Sequence, residues 1–335
     1  MDKKKQRLNG DCSHLSFSRA RGKVLRGIAV ASGLRQTKWY PWSMSVAIPK
    51  NFALDEYRVE EDALSDEGFL RRLTGWPILQ WPIALPETDP RGVQSAPKFE
   101  CWKKASDSRV GVAGYYFSFK AGGQVACHSH LEARLLAYFE MCPFVVEIRA
   151  QYPQWNREAF LAYCREGRMF PRNELATVDF MLTLCIPGVP YLIYHAVSGK
   201  PYEHLLHPKV KARHERERNS AAEWCATHEV MTERSVTDLE YWNSLRMLSH
   251  MQHVAPDEIG DLAGDARLFA HDLLATKASG NAERVVHMLG KRRGWNKDNS
   301  FRMLAIALFL GHLKWDARFS YEIAQPLNFA RPQSS

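Results

Sequence analysis

Residues 176–200 read ATVDFMLTLCIPGVPYLIYHAVSGK and contain two runs rich in β-branched, aromatic and aliphatic side chains. The runs, 176–186 and 191–197, are separated by the turn-forming segment Pro187-Gly-Val-Pro190. Apolar runs of this length around a Pro- and Gly-containing turn predict an antiparallel β-hairpin. Asp179 lies inside the first run and Lys200 follows the second, at positions where strands seldom carry charge.

Helices and strands are predicted to alternate around this hairpin. Upstream, Leu131, Leu135, Tyr138 and Phe139 recur at helical spacing and predict a helix over 130–141 that Pro143 ends, and a β-rich run follows at 144–148. A polar loop is expected before the hairpin, and a charged helix over 208–225 and a strand at 228–232 after it. This alternation predicts an α/β domain over 109–235.

Beyond this domain the sequence is helical almost throughout. Thr237-Asp-Leu-Glu240 is a capping-box pattern that opens a helix, and further helices are predicted at 257–274, 281–289 and 299–312. Two short helices joined by Gly290-Lys-Arg-Arg-Gly294 and followed by an alternating stretch at 314–320, which resembles a hairpin, predict a winged helix. We therefore assign 236–335 to a helical, winged-helix-like C-terminal domain.

Residues 1–108 form an N-terminal region with a different composition. Its first 26 residues are basic and read as an arm, either a DNA contact or a solvated tail. The stretch 39–102 is rich in Trp and Pro, which predicts short strands, turns and one helix near 66–73. The candidate DNA-contacting residues of the chain are Lys3, Lys4, Lys5, Arg19, Arg21, Lys120, Arg292 and Arg293.

The overall composition favours a packed protein that meets polyphosphate. Lys and Arg number 45 against 37 Asp and Glu, and this basic balance is the footprint expected of a nucleic-acid-binding protein. No apolar run reaches the length of a bilayer span, so no membrane partner is expected. Seven scattered cysteines without a CxxC pair argue against a disulfide framework, and we expect a cytoplasmic, nucleoid-associated protein.

Three polar residues occupy positions that a structural core would fill with apolar side chains: Glu132 in the helix, Asp179 in a strand and Lys200 after the next strand. Three charges at such positions indicate a functional role, because an unpaired charge is costly to bury. Two carboxylates and a lysine around a sheet can hold one or two Mg²⁺ ions and a water for attack on a phosphodiester. A strand Asp taken alone is more often a hairpin-edge residue.

The order of these motifs resembles TnsA, the endonuclease subunit of heteromeric cut-and-paste transposases. The matching segments cover about residues 110–235. They are Phe117-Ser118-Phe-Lys120, Cys127-His-Ser-His-Leu-Glu132, Val146-Glu147-Ile-Arg149-Ala-Gln151-Tyr-Pro153, Thr177-Val-Asp179-Phe and Val197-Ser198-Gly-Lys200-Pro201.

The resemblance implies a restriction-endonuclease-like, PD-(D/E)xK fold with Glu132, Asp179 and Lys200 as catalytic residues. Glu132 and Asp179 would bind Mg²⁺ or Mn²⁺, as two ions, and Ser198, Glu147 and Gln151 would support them. The implied activity is cleavage of the 5′ strand at transposon ends, with a TnsB-like DDE transposase cutting the other strand and a TnsC-like AAA+ ATPase as regulator.

Several alternatives remain open at the level of sequence. Ser198 stands where the wider nuclease superfamily has an acidic residue, and Glu147 could instead pair with Arg149 or Arg134. Cys127-His128-Ser-His130 suggests zinc but lacks a second ligand pair. Glu215 and Glu217 alternate with basic residues in the charged helix, which is typical of a solvated face, although one side could meet DNA phosphate. The rival functions are a stand-alone restriction or repair nuclease and a non-catalytic DNA-binding assembly subunit.

Overall fold

A computed structural model describes residues 68–73, 75–101, 103–107, 113–168, 171 and 175–330. The predicted basic arm, including Lys3, Lys4, Lys5, Arg19 and Arg21, lies outside the described residues, as does most of the predicted Trp- and Pro-rich stretch before residue 68.

The chain is an α/β protein. Its strands are β1 (Gly114–Ser118), β2 (Gly123–Cys127), β3 (Val145–Gln154), β4 (Ala176–Leu184), β5 (Ile193–Gly199) and β6 (Thr227–Met231). Its helices are α1 (Phe69–Arg72), α2 (His130–Met141), α3 (Arg157–Arg165), α4 (Pro208–Ala222), α5 (Asp238–Met251), α6 (Glu258–Ala275), α7 (Ala282–Arg292) and α8 (Lys297–Phe309), with short 3-10 turns at Ala105–Asp107 and Tyr202–His204.

The central sheet is mixed and has the strand order β3-β4-β5-β6. The predicted hairpin is confirmed: β4 and β5 are antiparallel, with Phe180 opposite Val197 and Leu184 opposite Ile193. β6 is parallel to β5, and parallel neighbours require a crossover connection, which α4 supplies. The sheet thereby places the end of β5 between β4 and β6.

Both faces of the sheet are covered, because alternate strand residues enter different apolar clusters. On one face Leu135 and Phe139 of α2 pack with Phe180, Leu182 and Val197. On the other face Tyr152, Met181 and Ala196 pack with aromatic residues of the surrounding segments, Trp155, Phe160 and Trp224. One of these segments includes α3, where the sequence predicted a polar loop.

Helices α2 and α5 each begin with a side-chain cap, and the capping box predicted from sequence is one of these caps. Ser129 caps α2 by accepting a hydrogen bond from the Glu132 N–H, and Thr237 with Glu240 forms the predicted capping box of α5. The alternating stretch 314–320, however, forms a turn rather than a hairpin. Trp315 pairs instead with the distant Phe329 in an isolated bridge, because the last described segment folds back onto it.

The C-terminal helices share a core with earlier parts of the chain. Phe269, Leu304 and Phe309 pack in one cluster with Leu79 and Phe119. The backbone N–H of Leu79 also donates to the carbonyl of Leu310 at 2.8 Å, and a short helix at 69–72 confirms the helix expected near 66–73.

No helix in the described part of the chain is both long and apolar enough to cross a membrane.

Candidate functional site

Three predicted site residues from different elements lie near one another in the fold. They are Glu132 in α2, Asp179 in β4 and Lys200 directly after β5. Asp179 lies in β4, and its Oδ2 accepts a hydrogen bond from the backbone N–H of Gly199 at the end of β5, at 2.8 Å. The next residue, Lys200, donates its own N–H to the carbonyl of Met231 in β6 at 2.9 Å. Lys200 therefore leaves the sheet beside Asp179, at a position fixed by backbone hydrogen bonds on both sides.

Gly199 is the point where α2 approaches β5. A Cβ atom at Gly199 would lie 3.3 Å from Leu135 Cδ1 and 3.7 Å from both Leu131 Cδ2 and Asp179 Oδ2. A side chain at this position would therefore press on the helix and on the carboxylate. The glycine allows α2, which carries Glu132 in its first turn, to lie close to Asp179.

Glu132 is held by an array of donors around its carboxylate. Oε2 accepts the His128 N–H at 2.8 Å and the Gln151 side-chain amide at 3.0 Å, and Ser129 Oγ donates to Oε1 at 3.2 Å. Only 6% of the residue is exposed. An anion in the first turn of a helix is also favoured by the helix dipole. These contacts fix the orientation of the side chain.

Gln151 of β3 binds Glu132 and lies opposite Asp179 of β4. The pairs Ala150–Phe180 and Tyr152–Val178 flank it, so Gln151 lies across from Asp179 in the sheet. Its backbone has φ = 49°, in the left-handed region that non-glycine residues seldom adopt. Such backbone conformations cluster at functional sites. The supporting residue expected from the motif is thus in contact with the predicted acidic residue.

The electrostatics of the two carboxylates are coupled. Burial and the charge of Asp179 raise the pKa of Glu132 to about 7, although the His128 N–H, the Ser129 hydroxyl and Lys200 oppose this shift. Burial likewise raises the pKa of Asp179 against the opposing effects of Lys200 and the Gly199 N–H. Two buried acids that repel each other form a place where a further cation is favoured.

Comparison with protein-family models and with curated proteins finds no match for this chain.

The Ser198 hydroxyl binds Glu217 of α4, whereas the Asp179 carboxylate binds the Gly199 N–H. Ser198 Oγ donates to Glu217 Oε2 at 2.7 Å, and Arg213 Nε donates to Glu217 Oε1 at 2.6 Å. Glu217 is only 3% exposed, so the expectation of a solvated helix face is wrong at this position. The cause is visible in the spacing of Val210, His214, Glu217 and Ala221, which places them along one stripe of α4.

Glu147 has a structural set of contacts. Its Oε1 accepts the Ala96 N–H at 2.6 Å, its Oε2 accepts the Thr183 hydroxyl, and Arg149 Nε lies 3.5 Å from it. Arg149 in turn binds Asp89 at 2.8 Å. Of the two pairings considered from sequence, the structure contains the one with Arg149, while Arg134 binds Asp238. Glu147 and Arg149 therefore fasten Ala96 and Asp89, respectively, to β3.

Lys120 is not a DNA contact, which corrects the expectation from sequence. The residue is 2% exposed, and its Nζ donates to the carbonyls of Phe139 at 2.9 Å and Cys142 at 2.7 Å at the end of α2. Burial lowers its pKa to about 8. Its amino group satisfies helix C-terminal carbonyls, so the charge does not reach solvent phosphate.

The two C-terminal arginines differ from each other. Arg292 is exposed at the end of α7 and stays a candidate for phosphate contact. Arg293 is half-buried and donates to Asp272 from Nε at 3.0 Å and from Nη2 at 2.6 Å, so its charge is largely neutralised within the protein.

A second group of titratable side chains lies next to Ser198 and was not foreseen. His214 and Glu217 of α4 and His228 of β6 place one ligand atom each within 4.8 Å of one another. Among groups of three or more such side chains in the described part of the chain, this one has ligand atoms close enough to hold a metal ion, whereas Cys127-His128-Ser-His130 does not form one. The i, i+3 spacing of His214 and Glu217 was the available signal.

Proposed function

We propose that this protein is a Mg²⁺-dependent DNA endonuclease subunit of a transposase, of the kind that TnsA represents. The observation that carries the proposal is the meeting of Glu132, Asp179 and Lys200 where β5 ends between β4 and β6 of the mixed sheet. The net basic charge of +8 suits a DNA substrate. Under this proposal the α/β core has the PD-(D/E)xK nuclease fold.

The donor set fits a magnesium site. Glu132 and Asp179 offer carboxylate oxygens, the ligands that hard cations prefer. Burial raises the pKa values of both carboxyls, and the charge of Asp179 adds to the shift at Glu132. Glu132 and Asp179 would hold Mg²⁺ or Mn²⁺, which would supply Lewis-acid polarisation of a phosphoryl oxygen and lower the pKa of bound water. Ser198 is not part of this set, because its hydroxyl is directed to Glu217.

The protein residues divide the remaining work. Asp179, fixed by the Gly199 N–H, and Glu132, fixed by Gln151 and the start of α2, hold their oxygens in place before substrate arrives. Lys200 orients the attacking water and offsets the negative charge that develops on the phosphate. Because each group is preorganised, little rearrangement is needed during the reaction.

The remaining parts of the proposal concern partners. A TnsB-like DDE transposase cuts the strand that this subunit does not, and a TnsC-like AAA+ ATPase regulates the pair. The C-terminal helices α7 and α8, with the segment that pairs at Trp315 and Phe329, are proposed as a winged-helix-like docking module. Arg292 at the end of α7 is its candidate phosphate contact.

The test is strand cleavage on end-containing DNA in a reconstitution with the DDE transposase. Asp179→Asn and Lys200→Gln are each expected to lower the rate of 5′-strand cleavage by about 100-fold or more. The other strand is still cut in both variants. Asp265→Asn, at an exposed carboxylate of α6, is the matched control and is expected to cleave normally. Wild-type cleavage by a folded Asp179→Asn protein would refute the assignment.

A further inference from the structure

A buried cluster of two histidines and a glutamate lies outside the proposed nuclease residues. His214 and Glu217 come from α4, and His228 comes from β6, the strand parallel to β5. His214 Nδ1 lies 3.2 Å and His228 Nε2 lies 3.4 Å from Glu217 Oε2. The cluster therefore joins the crossover helix to the sheet it covers.

The distances match those between ligands of a tetrahedral metal ion. With metal–nitrogen and metal–oxygen bonds of about 2.0–2.1 Å, neighbouring ligand atoms in a tetrahedron lie roughly 3.3–3.4 Å apart. Both nitrogen-to-oxygen distances in the cluster are close to that value. Three protein ligands leave the fourth position for water, as in other sites built from two histidines and a glutamate.

Buried ring nitrogens of His214 and His228 lack hydrogen-bond partners in the described part of the chain. The His228 side chain is fully buried and that of His214 is 8% exposed. Within the described part of the chain, neither ring nitrogen of His228 has a hydrogen-bond partner, and neither does Nε2 of His214. A buried polar atom without a partner costs about 1–3 kcal/mol, and a metal ion bound by His228 Nε2 would remove that cost at this nitrogen. His214 faces Glu217 through Nδ1, so its own ligand atom is the one that already lies in the cluster.

The carboxylate of Glu217 has the surroundings of a metal ligand. Arg213 donates to its Oε1 at 2.6 Å and Ser198 donates to its Oε2 at 2.7 Å, which fixes the plane of the carboxylate. Outer contacts of this kind orient ligating carboxylates in known metal sites. A neighbouring buried histidine, His195, offers a contrast, because its two nitrogens already contact Thr227 and Glu229.

We propose that His214, Glu217 and His228 bind one divalent cation of the zinc type, distinct from the Mg²⁺ of the proposed nuclease site. Imidazole nitrogen is a ligand for zinc and its neighbours in the periodic table, whereas Mg²⁺ prefers oxygen. The ion braces α4 against β6 and, through Ser198, steadies β5, which ends at Gly199 just before Lys200. This site does not depend on the nuclease activity, and binding alone reports on it.

The experiment is a Co²⁺ titration of the full chain after removal of metals with a chelator, followed by visible absorption and by competition with Zn²⁺. One Co²⁺ per chain is expected, with the absorption of a four-coordinate ion, and Zn²⁺ displaces it. His214→Gln and His228→Gln are each expected to weaken binding at least about tenfold. His250→Gln, at a half-buried histidine of α5 near Tyr321, is the matched control and keeps full affinity.

A further arm separates the two proposed sites. The double variant Glu132→Gln, Asp179→Asn is expected to retain Co²⁺ binding, and circular dichroism establishes which variants are folded. Binding that is lost in the double variant but kept in a folded His214→Gln or His228→Gln protein would overturn the proposal. So would a folded wild-type chain that takes up no Co²⁺.

Discussion

At the scale of single residues, the site is dominated by the cost of placing two acids together away from water. Glu132 and Asp179 are 6% and 7% exposed, and each raises the free energy of ionising the other. Hydrogen bonds from Gln151, His128 and Gly199 hold the oxygens in place without adding a positive charge. The arrangement suits a site that binds a cation rather than one that only packs a core.

This electrostatic cost predicts how stability depends on pH. The pKa of Glu132 is about 7 in the folded chain, against 4.5 for an ordinary Glu. The folded state therefore holds the proton more tightly, and the free energy of unfolding falls as pH rises from 4.5 through 7. In chelator, we expect the free energy of unfolding of the wild type to fall by roughly 3 kcal/mol across this pH range and Glu132→Gln to abolish that fall, as measured by urea unfolding.

The comparison must be made between curves rather than at one pH. Other groups contribute equally to wild type and variant, so only the difference between the two profiles reports on the acid pair. Parallel profiles for wild type and Glu132→Gln would show that the Glu132 carboxyl is not perturbed by its surroundings.

At the scale of elements, the site depends on how closely α2 approaches the end of β5. Leu131 and Leu135 of the helix lie over Gly199, whose N–H binds Asp179. The helix position and the carboxylate position are thus set by the same residue. A change in the gap between helix and strand alters the separation of Glu132 and Asp179.

Gly199→Ala tests this packing. The added methyl group would lie 3.3 Å from Leu135 Cδ1, so this side chain of α2 has to give by a few tenths of an ångström, and 3.7 Å from Asp179 Oδ2, which is ordinary contact. We expect a stability loss of about 1–2 kcal/mol. We also expect the stabilisation gained on adding Mg²⁺ to fall by a larger fraction than the stability without Mg²⁺. Thermal unfolding with and without Mg²⁺ measures both quantities.

The matched control is Gly123→Ala in β2, where a Cβ would meet nothing within 4 Å. This variant should unfold and respond to Mg²⁺ as the wild type does. Equal responses from Gly199→Ala and Gly123→Ala would mean that the approach of α2 to β5 does not control the site.

The elements that sequence predicted are those whose signals are local. The hairpin of β4 and β5, helix α2 and the capping box at Thr237 each depend on residues close together in the chain. The missed features depend on distant contacts: the left-handed Gln151 opposite Asp179, and the pairing of Trp315 with Phe329. Lys120 was misassigned because sequence does not reveal that the carbonyls of Phe139 and Cys142 enclose it.

The candidate site was predictable in part for the same reason. Glu132, Asp179 and Lys200 stand out because charge interrupts apolar patterns that one can read directly. His214, Glu217 and His228 lie in a highly charged helix and a polar strand, where no such contrast exists. Their burial arises from the crossover of α4 onto the sheet, which is a property of topology rather than of composition.

At the scale of the whole molecule, one of the apolar clusters extends from the residues before the sheet to the C-terminal helices. Leu79, Phe119 and Val146 pack in the same cluster as Phe269 and Phe309. Arg134 of α2 donates to the carbonyls of Glu233 and Val236, which lie immediately before α5. The segment that leads into the C-terminal helices is therefore held to α2, the helix that carries Glu132.

The most direct measurement of the central claim, a divalent-cation site at Glu132 and Asp179, is the Mg²⁺-induced change in stability of the full chain at pH 8. Because Mg²⁺ binds the folded state, a concentration about ten times Kd should raise the free energy of unfolding by ~1.4 kcal/mol. We expect this gain in wild type and in Asp265→Asn, and its loss in Asp179→Asn and in Glu132→Gln. An equal gain in all four proteins would contradict a cation site at this carboxylate pair.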